Sequence, residues 1–514
     1  MDIILQDEVN CRLNPLPPEI YRELDKKLRI FLPYARYSPQ YKLGLWNGYK
    51  SFINPGGYTY INLLDEILPV LQQHNIPINL VNNRKNTIKF KFDHIDENFL
   101  SEYKWPKGHR LEGQPIHLEE HQVRAINSLL DNPQSVLEAA TSAGKTIIFS
   151  AICKVVEQYG KILLLVPSSD LVIQTYEEAK IIGLDVGRLM GAKYREIDHQ
   201  IIIATWQTIM HTESQAKGIA KGNYDISSDM EKLRKEELEE LLDGLVCVIA
   251  DECHDLTGNE IFKQFTNIFK DIPIRWGMTG TVPKKNFEQI NLRLSIGPVV
   301  EHIKSKELQD KNFLAKSNIT IIKLQDDFNP NKGLTLLEKK NHKGWTIERD
   351  YLKSNPKRIE FISNLIKTIS QNGNTLVLVT SIDMGKSIND YLISSNIDSV
   401  FLSGSDSNVK RKEEYDTIKV EDNKVIVATQ QIASTGISLP RLFNLVFVDF
   451  GLAYTKTMQS IGRGLRLAKD KTSVEIYDIS SDIGSSKKHL KQRIDYYKEN
   501  EHPYKIIDVK DWKK

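Results

Sequence analysis

Cysteine is scarce in this chain: Cys11, Cys153, Cys247 and Cys253 are the only four in 514 residues. No two share CxxC spacing, which excludes a zinc ribbon and a thioredoxin-type redox motif. Cys253 adjoins His254, but a structural zinc site needs four converging ligands, so the pair reads as core rather than metal. Nothing calls for a disulfide, and the expected setting is a reducing one, the cytoplasm (that of the host if the chain is phage-encoded). Long apolar runs are also missing. The stretch 147–156 contains Lys154 and falls short of the roughly 18 residues of a membrane span, so no membrane partner is expected. Met1-Asp2-Ile3 opens acidic, without the pattern of a signal peptide. Net charge is nearly absent, since 69 basic and 67 acidic residues leave +2. That average argues against a nucleic-acid partner, but charge can be segregated along a chain. Hydrophobic residues at 40% and charged residues at 26% exclude wholesale disorder. The length suggests about three domains.

One absence is local. Residues 26–64 contain no aspartate or glutamate, but they hold six basic residues and nine aromatics. Arg36, Lys42, Trp46 and Lys50 lie among them, and basic residues interleaved with aromatics suit phosphates and bases. The plain alternative is a small domain with an aromatic core and a solvated basic face. This stretch belongs to the first of four zones, residues 1–112, expected to be a small α+β domain that binds DNA.

In the second zone, 113–305, β-branched apolar runs alternate with helical patterns. Strands are expected at 135–138, 162–166, 201–205, 246–250 and 275–278, which predicts a parallel sheet covered on both faces. The polar stretch 213–243 reads as a surface insertion ending in an exposed helix. The third zone repeats the pattern at 375–379, 399–402, 424–428, 445–449 and 474–477, after a mixed linking segment, 306–345. The fourth, 481–514, reads as a basic amphipathic tail. The fold class is therefore α/β, with two tandem parallel-sheet lobes behind the N-terminal domain.

Three motifs carry chemistry. Residues 139–146 form a small-residue loop, Ala140, Thr141, Ser142, Ala143, Gly144, Lys145 and Thr146 among them, between a strand and a helix. That context suits backbone N–H groups cradling phosphates, Lys145 reaching the outer phosphates and Thr146 ligating Mg²⁺. The general pattern opens with glycine, where this chain has Ala139. The plain alternative is a strand–helix turn. Asp251 and Glu252 follow an apolar strand, at the edge where open α/β sheets bind ligands. Asp251 could hold Mg²⁺ and Glu252 could polarise an attacking water. Arg463 and Arg466 stand at i and i+3, so on a helix they share a face and could clamp phosphate oxygens. The alternative there is a solvated basic face.

The ordered set Gln122, 139–146, 166–168, 204–208, 251–254, 279–281, 434–438 and 459–466 resembles the motif series of the superfamily 2 helicases. Residues 37–48 and the loop variants are similar to the UvsW-type branched-DNA helicases of phages. The resemblance implies two RecA-like lobes with ATP and Mg²⁺ between them. It implies that Gln122 reads adenine, and that Gly436 and Gln459 contact ATP. Lys145, Asp251, Glu252, Arg463 and Arg466 would serve catalysis, with Thr146 and Asp251 on the metal. His254, Thr279 and Thr281 would couple hydrolysis to movement, and Thr205, Thr380 and Ser381 would touch the DNA backbone. Ser142 replaces a glycine common in the superfamily, and Ser438 a common acidic residue. The implied partners are branched or forked DNA and RNA–DNA hybrids, with single-strand-binding or recombination proteins beside them. A duplex translocase that remodels nucleoprotein, a DNA-binding protein with a decayed motor, and a metabolite kinase stay open as alternatives. Polarity and oligomeric state are not legible.

Overall fold

A computed structural model describes residues 1–86, 88–107, 111–140, 143–191, 194–209, 229–311, 313, 315–335, 338, 343–406, 408–418, 421–429, 441–449, 451 and 473–512. They divide into two compact units, residues 1–139 with 144–303, and residues 304–514 with 140–143. Among the described residues no helix is long and apolar enough to cross a membrane.

The first unit begins with a small sheet. Strands β1 (Asp2–Leu5) and β2 (Asn10–Asn14) pair antiparallel, and β3 (Arg29–Phe31) and β4 (Tyr49–Ser51) form a separate hairpin. Strands β5 (Tyr58–Tyr60) and β6 (Asn79–Asn82) complete the order β5-β2-β1-β6. Ile3, Leu13, Ile20, Leu24, Leu63 and Ile67 fill its core, but so do Phe262 and Leu294 from beyond this region. The N-terminal residues therefore close over part of the lobe that follows. Buried Arg275 donates from Nη2 to the Glu8 carbonyl at 2.6 Å and to Gln134 Oε1 at 2.7 Å. Arg293 pairs with Glu66 at 2.6 Å and Lys85 with Asp271 at 2.8 Å.

The lobe itself holds β7 (Gln134–Ala139), β8 (Lys161–Val166), β9 (Val186–Met190), β10 (Tyr194–Arg195), β11 (Ile201–Thr205), β12 (Leu245–Asp251), β13 (Ile274–Thr279) and β14 (Val299–Ile303). Their order is β10-β9-β11-β8-β12-β13-β7-β14, parallel except for the edge strand β10. Strands β11 and β12 are buried almost throughout, which is why they read as unbroken apolar runs. The five expected strands are present, while β9, β10 and β14 are additions that the sequence pattern does not mark. The helix Asp229–Leu242 ends the expected insertion, and buried Leu241 and the Glu237–Arg195 ion pair hold that end to the lobe.

The second unit is one all-parallel sheet of β15 (Lys316–Leu324), β16 (Thr375–Val379), β17 (Ser399–Leu402), β18 (Val425–Thr429), β19 (Asn444–Val448), β20 (Ser473–Ser481) and β21 (Tyr504–Val509). The order is β17-β18-β16-β19-β20-β15-β21. Two expectations are corrected here. The linking segment 306–345 contains β15, a nine-residue strand between β20 and β21, whose polar alternates Lys316, Asn318 and Thr320 hide it in the sequence. The tail 481–514 is no appendage, because its helix Gly484–Glu499 packs on the sheet and β21 joins it. Leu490, Tyr496 and Tyr497 are buried, and Arg493 is buried beside Asp478, with its Nη2 2.8 Å from Asp478 Oδ1.

Candidate nucleotide site

The loop after β7 turns into the helix Lys145–Val156 through Gly144, whose φ is +81°. A side chain there would strain the backbone, and a Cβ would lie 2.2 Å from Gln122 Nε2. Gln122 is thus brought to the loop 139–146. Its Oε1 accepts from the Glu119 N–H at 3.0 Å, closing the N-terminal box of the helix Glu120–Asp131. Within the loop Ala140 accepts from the Ala143 N–H at 3.0 Å. Thr146 stands half-buried on the first helical turn. Thr141 and Ser142 lie outside the described residues, as do Gly436, Gln459, Arg463 and Arg466.

Asp251 ends β12, and Glu252 follows in a left-handed conformation, φ +48°. A non-glycine residue held there marks backbone shaped for a task, since the conformation costs energy. It turns both carboxylates toward Lys145. Lys145 Nζ donates to Glu252 Oε1 at 2.8 Å and stands 3.4 Å from Asp251 Oδ1. Burial opposes the Lys145 charge, but the two carboxylates outweigh it and hold the ammonium above its ordinary pKa. Burial likewise opposes the Glu252 charge, and Lys145 and His254 hold that carboxyl well below the usual range. For Asp251 burial wins and the pKa rises.

A chain of polar contacts leaves this pair, an ion pair first and hydrogen bonds after it. His254 Nδ1 lies 2.9 Å from Thr279 Oγ1 and 3.3 Å from Glu252 Oε2. Thr279 Oγ1 donates its proton to the Thr281 carbonyl at 2.9 Å and accepts from the Thr281 N–H at 3.2 Å. The Thr279 hydroxyl has one proton, already used, so His254 Nδ1 must carry the hydrogen they share. Burial works against the imidazolium, yet the Glu252 carboxylate beside it lifts its pKa above the ordinary value. Glu252, His254, Thr279 and Thr281 are therefore one connected path from the carboxylates to the end of β13.

Sequence reading missed Glu138. It sits on β7 next to the loop, accepts from the Val282 N–H through Oε1 at 3.0 Å, and meets His302 Nδ1 through Oε2 at 2.6 Å. It ties the segment after Thr281 to the strand that leads into the loop 139–146. A carboxylate flanked by Val136, Leu137 and Ala139 was the available signal.

The residues fit magnesium as nucleotide proteins hold it, through one carboxylate and a hydroxyl with phosphates supplying the rest. Asp251 Oδ1 is buried without a hydrogen bond, its only cation the Lys145 ammonium 3.4 Å away among the described residues, so its lone pairs suit such a ligand. Among the described residues no group of three or more His, Cys, Asp or Glu could hold a metal alone. Cys253 is buried, its Sγ close beneath Gly277.

The nucleic-acid candidates separate. Arg36 and Lys42 are exposed between β3 and β4, and Trp46 donates from Nε1 to the Tyr49 carbonyl at 2.9 Å. Lys50 does not share their exposure. Its Nζ stands over the rings of Phe287 (5.0 Å), Phe52 (5.1 Å) and Phe262 (5.5 Å), and burial with nearby Lys263 lowers its pKa. Thr205 is buried, its hydroxyl 2.9 Å from that of Thr208. In the second unit Thr380 is exposed, and Ser381 caps the helix Ile382–Ser394 by accepting from the Met384 N–H.

Two family models match, "Type III restriction enzyme, res subunit" over residues 115–284 and "Helicase conserved C-terminal domain" over 357–468. The chain is a superfamily 2 helicase. The two matches fall on the two parallel sheets, and the first spans the Lys145–Glu252 site, so the helicase is an ATP hydrolase. It is 22% identical over 496 residues to the ATP-dependent DNA helicase uvsW of Enterobacteria phage T4, covering 91% of this chain and 89% of that protein. In fold the helicase is similar to the ATP-dependent Type ISP restriction-modification enzyme LlaBIII bound to DNA. That likeness has a TM-score of 0.54 and 14% identity, and covers 86% of this chain and 34% of that one. It is also similar to Dbp5 of S. cerevisiae bound to RNA and ADP BeF3, with a TM-score of 0.50 and 15% identity over 77% of this chain and 90% of that one.

Proposed function

We propose that this helicase uses ATP to move on DNA and to remodel branched or forked substrates, with RNA–DNA hybrids among them. The observation that carries the reading is the single path from Lys145 through Glu252 and His254 to Thr279 and Thr281. It links the groups that would touch the terminal phosphates to a strand end that could respond. The nearly full-length similarity to a phage DNA helicase supports DNA as the polymer. Its work would lie in the cytoplasm, that of the host if the chain is phage-encoded.

In this reading Lys145 neutralises phosphate charge, Gln122 faces the base, and Glu252, held ionised, accepts a proton from the attacking water. Thr146 and Asp251 would hold Mg²⁺, which supplies charge neutralisation at the phosphates. Arg463 and Arg466 are proposed, on sequence grounds, to add guanidinium charge to the same reaction. Binding through backbone phosphates suits a motor that must step along any sequence.

The test is phosphate release and strand separation across single-stranded, forked, four-way and R-loop substrates, for wild type and Lys145→Ala. DNA-stimulated turnover is expected in wild type and absent in the variant. Retained turnover in Lys145→Ala removes the phosphate-loop assignment, and wild-type turnover indifferent to DNA removes the proposed substrate.

A further inference from the structure

Between β3 and β4 the chain leaves the hairpin for residues 32–48 and returns. This excursion is built rather than loose. It holds the short helical turns Pro33–Tyr37 and Pro39–Lys42. The Leu43 N–H donates to the Pro39 carbonyl at 3.0 Å, the Gly44 N–H to Tyr41 at 3.1 Å and the Leu45 N–H to Gln40 at 2.9 Å. At its base the Leu32 N–H donates to the Gly48 carbonyl at 2.8 Å. Gly48, φ +80°, lies so close under Phe31 that a Cβ would come within 2.5 Å of that ring. The ring edges of Tyr41 and Tyr49 meet Phe31 with centroids 6.0 and 5.4 Å away.

A frame this well tied presents large apolar side chains to water. Tyr37 is 81% exposed, Leu45 77% and Leu43 72%, with Tyr34 at 52%. Scattered exposed leucines need no explanation, but two of them flanking a left-handed glycine, beside two exposed tyrosines, form one apolar knuckle. The chemistry around it selects the occupant. No carboxylate occurs from residue 26 to 64, and Arg36 and Lys42 are exposed on the same excursion. An uncharged protein or lipid partner would not call for an acid-free stretch of chain. A polyanion with apolar faces does, and nucleobases at a branch point are such faces. Leucine side chains entering a base step unstack it, and an exposed tyrosine edge beside them keeps the step open.

We propose that Leu43, Leu45 and Tyr37 form a base-contacting site that engages the terminal base pair at a DNA branch, with Arg36 and Lys42 on the flanking phosphates. It rests on the proposed DNA reading and specifies where strands are parted.

The probe is a four-way DNA junction with 2-aminopurine at the branch point, bound by the full chain without nucleotide. Wild type should raise the fluorescence, because unstacking releases quenching. The triple variant Leu43→Ala, Leu45→Ala, Tyr37→Ala should lose that rise and separate forked DNA about tenfold more slowly or worse. Its thermal melting should match wild type, since the removed side chains are largely in water. Arg36→Ala with Lys42→Ala should instead weaken junction binding and flatten its salt dependence. The site is overturned if the triple variant keeps both the fluorescence rise and the unwinding rate. It is equally overturned if the variant unwinds normally but abolishes a self-association of wild type seen by sedimentation, which would make the knuckle a protein interface. Failure of the broader reading looks different, because wild type itself would then show no DNA-stimulated ATP hydrolysis.

Discussion

Lys145 and Glu252 sit 107 residues apart in sequence and 2.8 Å apart in space. Their types were legible, since GlyLysThr after a strand and AspGlu after another are chemically marked. The connection onward was not, because His254 and Thr279 meet only once β12 and β13 lie side by side. Glu138 escaped for the same reason, as its partners Val282 and His302 come from distant stretches. Thr279 allows a direct test. Thr279→Val removes a hydroxyl that satisfies His254 Nδ1 and the Thr281 carbonyl, and burying such groups unpaired costs about 1–3 kcal/mol. ATP binding should persist while strands separated per ATP fall about tenfold, as measured by nucleotide titration and coupled unwinding. A proportionate loss of binding and unwinding would make the chain of bonds merely structural.

Among the elements, continuous apolar strands were the easiest to see, and β11 and β16 lie where the pattern put them. Strand β15 was missed because one face carries polar residues, and β21 because Tyr504–Val509 is mostly exposed at the sheet edge. The turn before β21 carries a titratable consequence. His502 is buried, accepts or donates one bond with Ser317 Oγ at 3.1 Å, and its Nε2 lacks a hydrogen-bond partner. Burial pushes its pKa down to about 4 from 6.5. Folding therefore favours neutral His502. Its stability contribution is complete above pH 6.5 and is lost as pH falls toward 4, because the unfolded chain takes up the proton first. The full loss is roughly 3 kcal/mol. Urea midpoints of the second unit at neutral and mildly acidic pH should diverge more for wild type than for His502→Gln. Equal acid sensitivity would exclude His502 as the cause.

Taken whole, the chain joins its N-terminal region to the first lobe more closely than a three-domain reading suggests. Phe262 and Leu294 belong to the N-terminal core, and buried Arg275 donates from Nη2 to the Glu8 carbonyl and to Gln134 Oε1. Deleting residues 1–112 should therefore do more than remove a DNA contact. Re-exposing those two side chains alone costs about 3–6 kcal/mol, before the loss of the Glu8 carbonyl that Arg275 bonds. Thermal melting of the truncated protein should fall well below wild type. An unchanged melting temperature would show that the lobe stands without its cover. Point variants in the excursion 32–48 are the cleaner probe of nucleic-acid binding.

Composition and strand patterning were enough for two parallel-sheet lobes, and two motifs for a small-residue loop and a carboxylate pair, because each is a local signal: an apolar run, a small-residue turn, adjacent charges. Near-neutral total charge concealed an acid-free stretch of chain that only position along the sequence revealed. Tertiary structure decided which groups touch. It joined Glu252 to Thr279 through His254, drew Lys50 from the basic surface onto three rings, and folded the apparent tail into a sheet. Those outcomes depend on strand order and on the enclosure of charge, which no window of neighbouring residues contains.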